Sequence, residues 1–537
     1  MRLRVDWRAA VALVGTVLTY LAVPLAVPLA LAVADSLPAL ADGVGAFLAA
    51  DDVVPFLATI LLTLVTGTAL RRLDPASEVG TREGFLMVAL SWLVVPVLGS
   101  VPFLLTAYGV PGLTVGYETT LRQPANALFE STSGFTTTGA TVLGEISIER
   151  HTRALMLWRQ LIQWLGGMGI VVLAVAVLPE LSVGGAQLLE AEAPGPSIEK
   201  LAPRVRETAR RLWLLYAGIT AAEILLLYAV HLAGLAPNMT AYNAVAHGLT
   251  TMPTGGFSPE ARSIEAFSAV AQWVIVPFMF AAGVNFALFY AAATGRARRL
   301  VSNPEFRTYL GVIVGLTALT SVLLFTDPLL SEPLDTPSGF VVVGNDAEGS
   351  LRHAAFQVVS LTNSTGYSSM DFTAWSGTRQ YVLVFAMLIG GSAGSTGGGI
   401  KVVRWIVVAK LIRRELYTAV HPEAVEPIRL GDRVLDDRTV RGILGFTMLY
   451  LILFFAAALF IAVDASRVGL DLSTVEVVTA SIATIGNIGP GLGVVGPMGS
   501  YTAFPATTKL LMVGLMWIGR LEILPVLVLL TRSYWQS

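Results

Sequence analysis

The sequence predicts an all-α polytopic membrane protein, and its composition and its long apolar stretches are the main reasons. Of the 537 residues, 54% are hydrophobic and only 13% are charged. Soluble globular proteins typically carry about 25% charged residues, so this chain has too few to cover a water-soluble body. Ten stretches are apolar enough for a membrane span, which takes about 20 helical residues. They are residues 9–34, 53–70, 84–106, 160–179, 212–230, 266–294, 308–326, 380–400, 442–463 and 510–531.

The basic residues predict the orientation of these spans. With the N-terminus inside and ten alternating spans, Lys and Arg on the inner side outnumber those on the outer side about threefold. Residues 9–34 also end in Ala32-Val33-Ala34, which resembles a signal-peptide cleavage site. Their apolar run is much longer than a signal peptide needs, so we expect the span to be retained. The sequence therefore predicts a multi-pass protein of the cell inner membrane with both termini cytoplasmic.

Composition also excludes several function classes. The net charge of -2 gives no basic surface for nucleic acid, and the chain has no Cys. Its five His are far apart in sequence, without the spacing of a metalloenzyme. We therefore expect neither an enzyme nor an organic cofactor.

Four glycine-centred motifs recur between alternate spans. They are SGFTTTGAT (133–141), TMPTGGFS (251–258), LTNSTGYS (361–368) and TIGNIGPG (484–491). Aligned on Gly139, Gly255, Gly366 and Gly489, they lie roughly 110 to 125 residues apart, which indicates an internal repeat. The stretches before them, 126–133, 242–249, 351–361 and 472–483, are too short to span a bilayer and predict short re-entrant helices.

This arrangement suits the dehydration of a cation. Backbone carbonyls from converging loops can replace the water around an ion, and a central glycine permits positive φ without a side chain in the path. Short helices that point their C-terminal ends at the path would favour a cation, and none of the four motifs contains Lys or Arg. A single motif of this kind is usually a turn, and only the fourfold recurrence favours a pore.

At these residues the chain resembles the Trk/Ktr/HKT superfamily of potassium transporters, most closely the TrkH type. Further stretches that resemble it are AEAPGP (191–196), KLAPRVRETAR (200–210), AGVNFA (282–287), GGSAGSTGGGIK (390–401) and IGRLEI (518–523). The resemblance implies two N-terminal helices plus four concatenated membrane–pore-loop–membrane repeats around one pseudo-fourfold pore. The expected units are residues 1–78 for the N-terminal pair and 79–200, 201–303, 304–432 and 433–537 for the repeats.

The resemblance also implies the residues of a potassium filter. The filter residues are Thr137, Thr138, Gly139, Thr254, Gly255, Thr365, Gly366, Asn487, Ile488 and Gly489. All of these except Thr137 and Asn487 are expected to bind K+ directly. In plant relatives a Ser at the first filter glycine accompanies sodium preference, so Gly139 implies potassium.

Residues 390–401 have three possible interpretations. They are too rich in Gly to form a stable helix inside a span. A nucleotide-binding loop is disfavoured because Ile400 separates Gly399 from Lys401 and no strand precedes the motif. A close-packed helix crossing is an alternative, since small residues let backbones approach. The resemblance favours a gate, whose residues are Gly390, Gly391, Ser392, Gly394, Ser395, Thr396, Gly397, Gly398, Gly399, Lys401 and, from the last span, Arg520.

Arg520 is a charge inside a span and must face protein or water. It could pair with Glu522 or a backbone carbonyl, or it could act as a positive charge beneath the filter. We further expect Glu130, Glu223 and Glu476 to have structural partners, and Asn126, Asn243 and Asn363 to tie the short helices to their neighbours.

The resemblance implies a homodimer in the lipid bilayer that works with a separate cytosolic, nucleotide-binding (TrkA-like) subunit. Two alternatives remain from the sequence. One is a relative that passes Na+ or both ions, and the other is a membrane receptor or enzyme that holds a ligand in the glycine loops.

Overall fold

A computed structural model describes residues 5–50, 52–73, 80–176, 201–327, 334–336, 339–341, 343–431 and 433–536. The described chain is mostly helical, as expected. The helices of its first half are α1 Trp7–Ser36, α2 Val44–Ala49, α3 Val53–Arg71, α4 Thr81–Gly99, α5 Val101–Tyr108, α6 Pro124–Phe135, α7 Arg153–Ala176, α8 Leu201–Leu232 and α9 Ala241–Thr251.

The second half continues the helical pattern and adds two small hairpins. Its helices are α10 Ala269–Ala282, α11 Phe286–Ala291, α12 Ala297–Ser302, α13 Pro304–Phe325, α14 Ala347–Thr362, α15 Gly377–Met387, α16 Val402–Val420, α17 Asp437–Arg467, α18 Thr474–Ile485, α19 Ala506–Arg520, α20 Leu524–Leu529 and α21 Arg532–Gln536. Strands β1 Leu334–Thr336 and β2 Gly339–Val341 pair antiparallel, as do β3 Arg429–Leu430 and β4 Arg433–Val434.

Six segments of the described chain are helical, long and apolar enough to cross a membrane. They are Trp7–Asp42, Val53–Arg71, Arg82–Tyr108, Glu207–Leu232, Pro304–Phe325 and Asp437–Arg467. Each coincides with a predicted span, which confirms those six spans as apolar helices.

Four predicted spans differ from straight helices of full length. The span 266–294 is bent by 100° between α10 and α11, and 380–400 is helical only to Met387. The span 510–531 is interrupted after Arg520, where Glu522 and Ile523 have positive φ. The span 160–179 lies within α7 as far as Ala176, and its last three residues fall outside the described chain. These interruptions allow non-helical backbone to enter the interior, where it packs against protein.

The N-terminal helices α1 and α3 pack at close range through two glycines. A Cβ on Gly15 would lie 2.6 Å from the Gly67 carbonyl oxygen, and one on Gly67 would lie 2.8 Å from the Gly15 oxygen. Such distances leave no room for a side chain, so this crossing depends on small residues. Of the expected unit boundaries, 78, 200 and 432 fall on residues outside the described chain, as does the stretch 191–196.

Candidate functional site

The four glycine motifs form four loops, each at the C-terminal end of a short helix. The short helices are α6, α9, α14 and α18, which contain the four predicted stretches except for residues 472 and 473 before α18. We call the loops that follow them glycine loops one to four, residues 136–140, 252–257, 363–367 and 486–490. The polar side chains of Thr137, Thr254, Thr365 and Asn487 within them have no solvent exposure.

The four glycine loops share one backbone conformation. In each, an amide N–H donates to a carbonyl five residues earlier, at 2.8 to 2.9 Å. The donors are Thr138, Gly255, Thr365 and Ile488. The residue before each donor has positive φ, and so does the glycine after it, with φ of 80°, 76°, 79° and 96° at Gly139, Gly256, Gly366 and Gly489.

This conformation changes the register expected for the second loop. The sequence alignment paired Gly255 with Gly139, whereas the backbone pairs Gly256 with Gly139 and Gly255 with Thr138. It also pairs Ser364 with Thr137. The signal for this register was present in the sequence, because Gly256-Phe257-Ser258 matches the Gly-Tyr-Ser sequence that begins at Gly366.

The loops close into a ring in chain order. A Cβ on the positive-φ glycine of each loop would collide with a carbonyl oxygen of the next loop, and the fourth loop meets the first. The contacts are Gly139 with the Gly255 oxygen, Gly256 with the Thr365 oxygen, Gly366 with the Ile488 oxygen and Gly489 with the Thr138 oxygen. Only glycine fits at these positions, since both the space and the φ angle exclude a side chain.

A cavity of about 50 Å³ lies against this ring. Its lining includes all four positive-φ glycines, together with Glu260 and Arg159. Glu260 accepts a hydrogen bond from Asn243 Nδ2 at 3.0 Å. The four loops therefore border one small cavity, and the carboxylate of Glu260 and the guanidinium of Arg159 lie beside it.

A buried ion pair supports the first two loops. Arg159 Nε donates to Glu130 Oε1 at 2.6 Å, and Arg159 Nη1 donates to the Ser258 carbonyl at 3.0 Å. Glu130 also accepts from the Val142 amide at 2.9 Å, and the guanidinium lies 3.5 Å from the centre of the Phe257 ring. The pair thus joins α6 and α7 to the chain that leaves glycine loop two.

Other expected partners are found for most of the polar residues. Glu476 accepts from Ser473 and from the Val494 amide, the latter at 2.8 Å. Asn126 donates to the Thr120 carbonyl at 2.7 Å. Asn363 donates to the Met279 carbonyl at 2.5 Å, which ties glycine loop three to α10.

For Glu223 we predicted a structural partner, and the structure shows no ion pair or hydrogen bond of its carboxylate within the described chain. Neither carboxylate oxygen of this buried residue has a hydrogen-bond partner within the described chain. It lies on α8 near the hydroxyl of Thr251, and no basic residue of the described chain forms an ion pair with it.

Residues 390–401 are a folded loop between α15 and α16 and not a helix. The Gly390 amide donates to the Ile400 carbonyl at 2.9 Å, which joins the two ends. The Ser392 amide donates to the Gly283 carbonyl at 2.8 Å, at the 100° bend between α10 and α11. The bend therefore supplies a carbonyl that holds the loop in the interior, and a helix crossing is excluded for these residues.

This loop also contacts the bases of three glycine loops. Thr396 Oγ1 donates to the Met252 carbonyl at 2.9 Å, and the Gly398 amide donates to Ser364 Oγ at 2.5 Å. A Cβ on Gly398 would collide with the Gly486 carbonyl. The expected gate residues are thus packed directly against glycine loops two, three and four.

Three buried ionisable groups hold the loop by hydrogen bonds to its backbone. Arg520 donates to the Thr396 carbonyl at 2.8 Å, and Lys401 donates to the Gly397 carbonyl. Glu305 accepts from the amides of Ala393 at 2.8 Å and Val403 at 3.2 Å.

Of the two partners predicted for Arg520, Glu522 and a backbone carbonyl, the structure shows the carbonyl. The ion pair of Glu522 is with Arg404 of α16, whereas Arg520 forms a hydrogen bond with a backbone carbonyl. Arg404 also lies 3.7 Å from the centre of the Phe446 ring. Within the described residues no group of three or more His, Asp or Glu is arranged to hold a metal ion.

Comparison with known proteins identifies the family of this chain. The family model TrkH, described as a cation transport protein, matches residues 54–537. The Trk system potassium uptake protein TrkH of Escherichia coli K12 is 38% identical over 463 residues, which cover 86% of this chain and 87% of that protein. The TrkH of Halomonas elongata is 37% identical, over 90% of this chain and 92% of its own length.

One solved structure is similar over almost all of this chain. The crystal structure of the potassium transporter TrkH from Vibrio parahaemolyticus superposes with a TM-score of 0.81 at 30% identity, covering 99% of this chain and 100% of that chain. These relatives are transporters and not enzymes, in agreement with the expectation from the sequence. The chain therefore belongs to the TrkH family of cation transport proteins.

Proposed function

We propose that this chain is the membrane subunit of a potassium uptake system, in which K+ crosses through the ring of glycine loops. The ring is the observation on which the proposal rests: each positive-φ glycine abuts a carbonyl oxygen of the next loop. Potassium as the ion is supported by the names of the relatives, which are Trk system potassium uptake proteins.

The proposed architecture is two N-terminal helices followed by four units, each an outer helix, a short helix, a glycine loop and an inner helix. The shared loop conformation supports four related units. We assign the units to residues 1–78, 79–200, 201–303, 304–432 and 433–537, around one pseudo-fourfold pore. The alternation of spans and the excess of basic residues on one side support a multi-pass protein of the inner membrane with both termini in the cytoplasm.

In this filter, backbone oxygens replace the water around K+. Carbonyls from four sides can do so without carrying a net charge. The short helices end where the loops begin, so their C-terminal dipole ends favour a cation there. The ion-binding residues that we propose are Thr138, Gly139, Thr254, Gly255, Thr365, Gly366, Ile488 and Gly489, together with Gly256.

Residues 390–401 are the proposed gate. They contact three of the four glycine loops, and Arg520, Lys401 and Glu305 hold them in place through backbone hydrogen bonds. Withdrawal of the loop would open the path beneath the filter. The inside-negative membrane potential then drives entry, with about 2.3 kcal/mol per charge per 100 mV.

The expected partners are a second copy of this chain and a separate cytosolic nucleotide-binding subunit. The Trk system named for the relatives supports a multi-component assembly. The lipid bilayer surrounds the apolar helices, and K+ is the transported ion, with no organic cofactor on this chain.

Flux measurements on the purified chain in liposomes test this function. We expect K+ uptake that external Na+ does not replace. Equal K+ and Na+ permeability would favour the alternative of a dual-ion relative, and the absence of flux in the presence of the regulatory subunit would favour a ligand-binding membrane receptor.

A further inference from the structure

Glycine loop two differs from the other three in how its ring carbonyl is held. Gly255 and Gly256 are adjacent, so the peptide between them has no side chain on either side. Pro253 precedes them and has no amide N–H to donate. Glycine backbones have the widest conformational freedom, so this loop has the weakest local control over the orientation of its ring carbonyl.

The side chain of Gln163 on α7 spans this peptide. Its Nε2 donates to the Gly255 carbonyl at 2.6 Å, and its Oε1 accepts from the Phe257 amide at 3.1 Å. The side-chain amide of Gln163 therefore binds the backbone on both sides of the positive-φ residue Gly256, at Gly255 and at Phe257. Gln163 is fully buried, so water does not compete for these bonds.

The other three loops have no such support. Among the residues that the structure describes, no side chain donates to the ring carbonyls of Thr138, Thr365 or Ile488. The side-chain hydrogen bonds of these loops reach the residues around those carbonyls, as when Tyr501 Oη donates to the Gly489 carbonyl at 2.8 Å. The support at Gly255 is therefore specific to glycine loop two.

We propose that Gln163 is a positioning residue that fixes the Gly255 carbonyl in the ring and thereby sets ion selectivity. The inference rests on the proposed function and adds to it a residue outside the four motifs. Removal of the amide leaves the Gly255–Gly256 peptide free to rotate, and the ring then accommodates ions of different size with less discrimination.

Gln160 provides a matched control. It lies one helical turn earlier on α7 and is equally buried, but neither end of its amide has a hydrogen-bond partner in the described chain. Leucine at this position removes an unsatisfied amide, which is neutral or stabilising.

The test is the K+/Na+ permeability ratio, from bi-ionic reversal potentials of proteoliposomes with wild type, Q163L, Q163E and Q160L. We expect Q163L to lower the ratio roughly five- to tenfold, since one or two buried hydrogen bonds are lost. Q163E keeps the shape and the acceptor but places a carboxylate against the Gly255 oxygen, so its ratio falls at least as far. Q160L stays within about twofold of wild type, as expected for a side chain without a partner.

Size-exclusion elution and thermal unfolding show whether each variant is folded. If Q163L does not fold, the permeability ratio of Q163E tests the inference by itself. A folded Q163L with the wild-type ratio, or an equal loss in Q160L, would overturn the inference while leaving the proposed function intact. Absence of K+ selectivity in the wild-type chain would overturn the proposed function itself.

Discussion

Arg520 Nη1 lies 2.8 Å from the carbonyl oxygen of Thr396, so a buried guanidinium from the last span holds the middle of the loop 390–401. The same residue Thr396 donates through its hydroxyl to the carbonyl of Met252, the first residue of glycine loop two. One bond network thus connects the end of α19, the proposed gate and the base of the ring.

Removal of this guanidinium is expected to release the gate. A hydrogen bond from a charged group is worth about 1.5–3 kcal/mol, so R520A shifts the gate towards the open state and raises K+ flux roughly tenfold or more. Tracer uptake into proteoliposomes measures this. R414Q, which removes a surface ion pair with Glu415 and Asp437, serves as the control and leaves flux unchanged. Unchanged or lower flux in folded R520A would argue against the gate.

A side chain at the ring glycines is expected to reduce selectivity. Gly139 has φ of 80°, and a Cβ there would collide with the Gly255 oxygen, so G139S displaces a ring carbonyl. We expect the K+/Na+ permeability ratio to fall about tenfold, and G256S to have the same effect because it occupies the equivalent position. Gly144 is the control, since a Cβ there meets only Thr120 Cγ2 at an ordinary 3.5 Å. A G144S effect as large as that of G139S would refute the assignment.

Glu130 is expected to be essential for stability, because it neutralises a buried charge. Without it, Arg159 is left unpaired in the interior, so E130A lowers the free energy of unfolding by about 3–5 kcal/mol. Denaturant titration followed by helical circular dichroism measures the loss. The control is E145A, which removes the exposed pair between Glu145 and Arg150 and costs about 0–1 kcal/mol. Similar losses in both variants would contradict the assigned role of the buried pair.

His151 lies in the loop before α7 and makes stability depend on pH. Burial, followed by the charges of Arg159 and Arg150, lowers its pKa to about 4, and Glu145 opposes this in part. Because the unfolded pKa is about 6.5, the unfolded chain binds more protons between pH 6.5 and 4. The stabilisation is therefore complete above pH 6.5 and is lost as the pH falls towards 4.

We expect wild type to lose about 2 kcal/mol from this group between pH 7 and pH 5, and H151Q to lose correspondingly less. Thermal unfolding at the two pH values compares them, with the exposed His421 replaced in H421Q as control. Equal pH dependence in wild type and H151Q would show that another group is responsible.

Much of the architecture follows from the sequence because its determinants are local. Apolar length predicts the six spans, and the recurrence of Gly-centred motifs predicts four short helices with loops at their ends. The register of glycine loop two did not follow, because Gly255 and Gly256 are both compatible with a positive φ. The ring contacts with Gly139 and Thr365 distinguish them, and the match of Gly256-Phe257-Ser258 to the third motif is the sequence signal that agrees with these contacts.

The partners of the buried charges also require tertiary structure. Arg520 and Glu522 are two residues apart, a spacing at which helical side chains do not face each other. Glu522 lies beyond the end of α19 and meets Arg404 from α16, which is far away in sequence. In the same way, the Gly283 carbonyl at the 100° bend accepts from the Ser392 amide, a contact that no local pattern records.

Anomalous diffraction from crystals of this chain grown with Tl+ or Rb+ tests the central claim most directly. We predict anomalous peaks inside the ring formed by the carbonyls of Thr138, Gly255, Thr365 and Ile488. Crystals that diffract well but hold heavy cations only elsewhere, with none between these four oxygens, would contradict it.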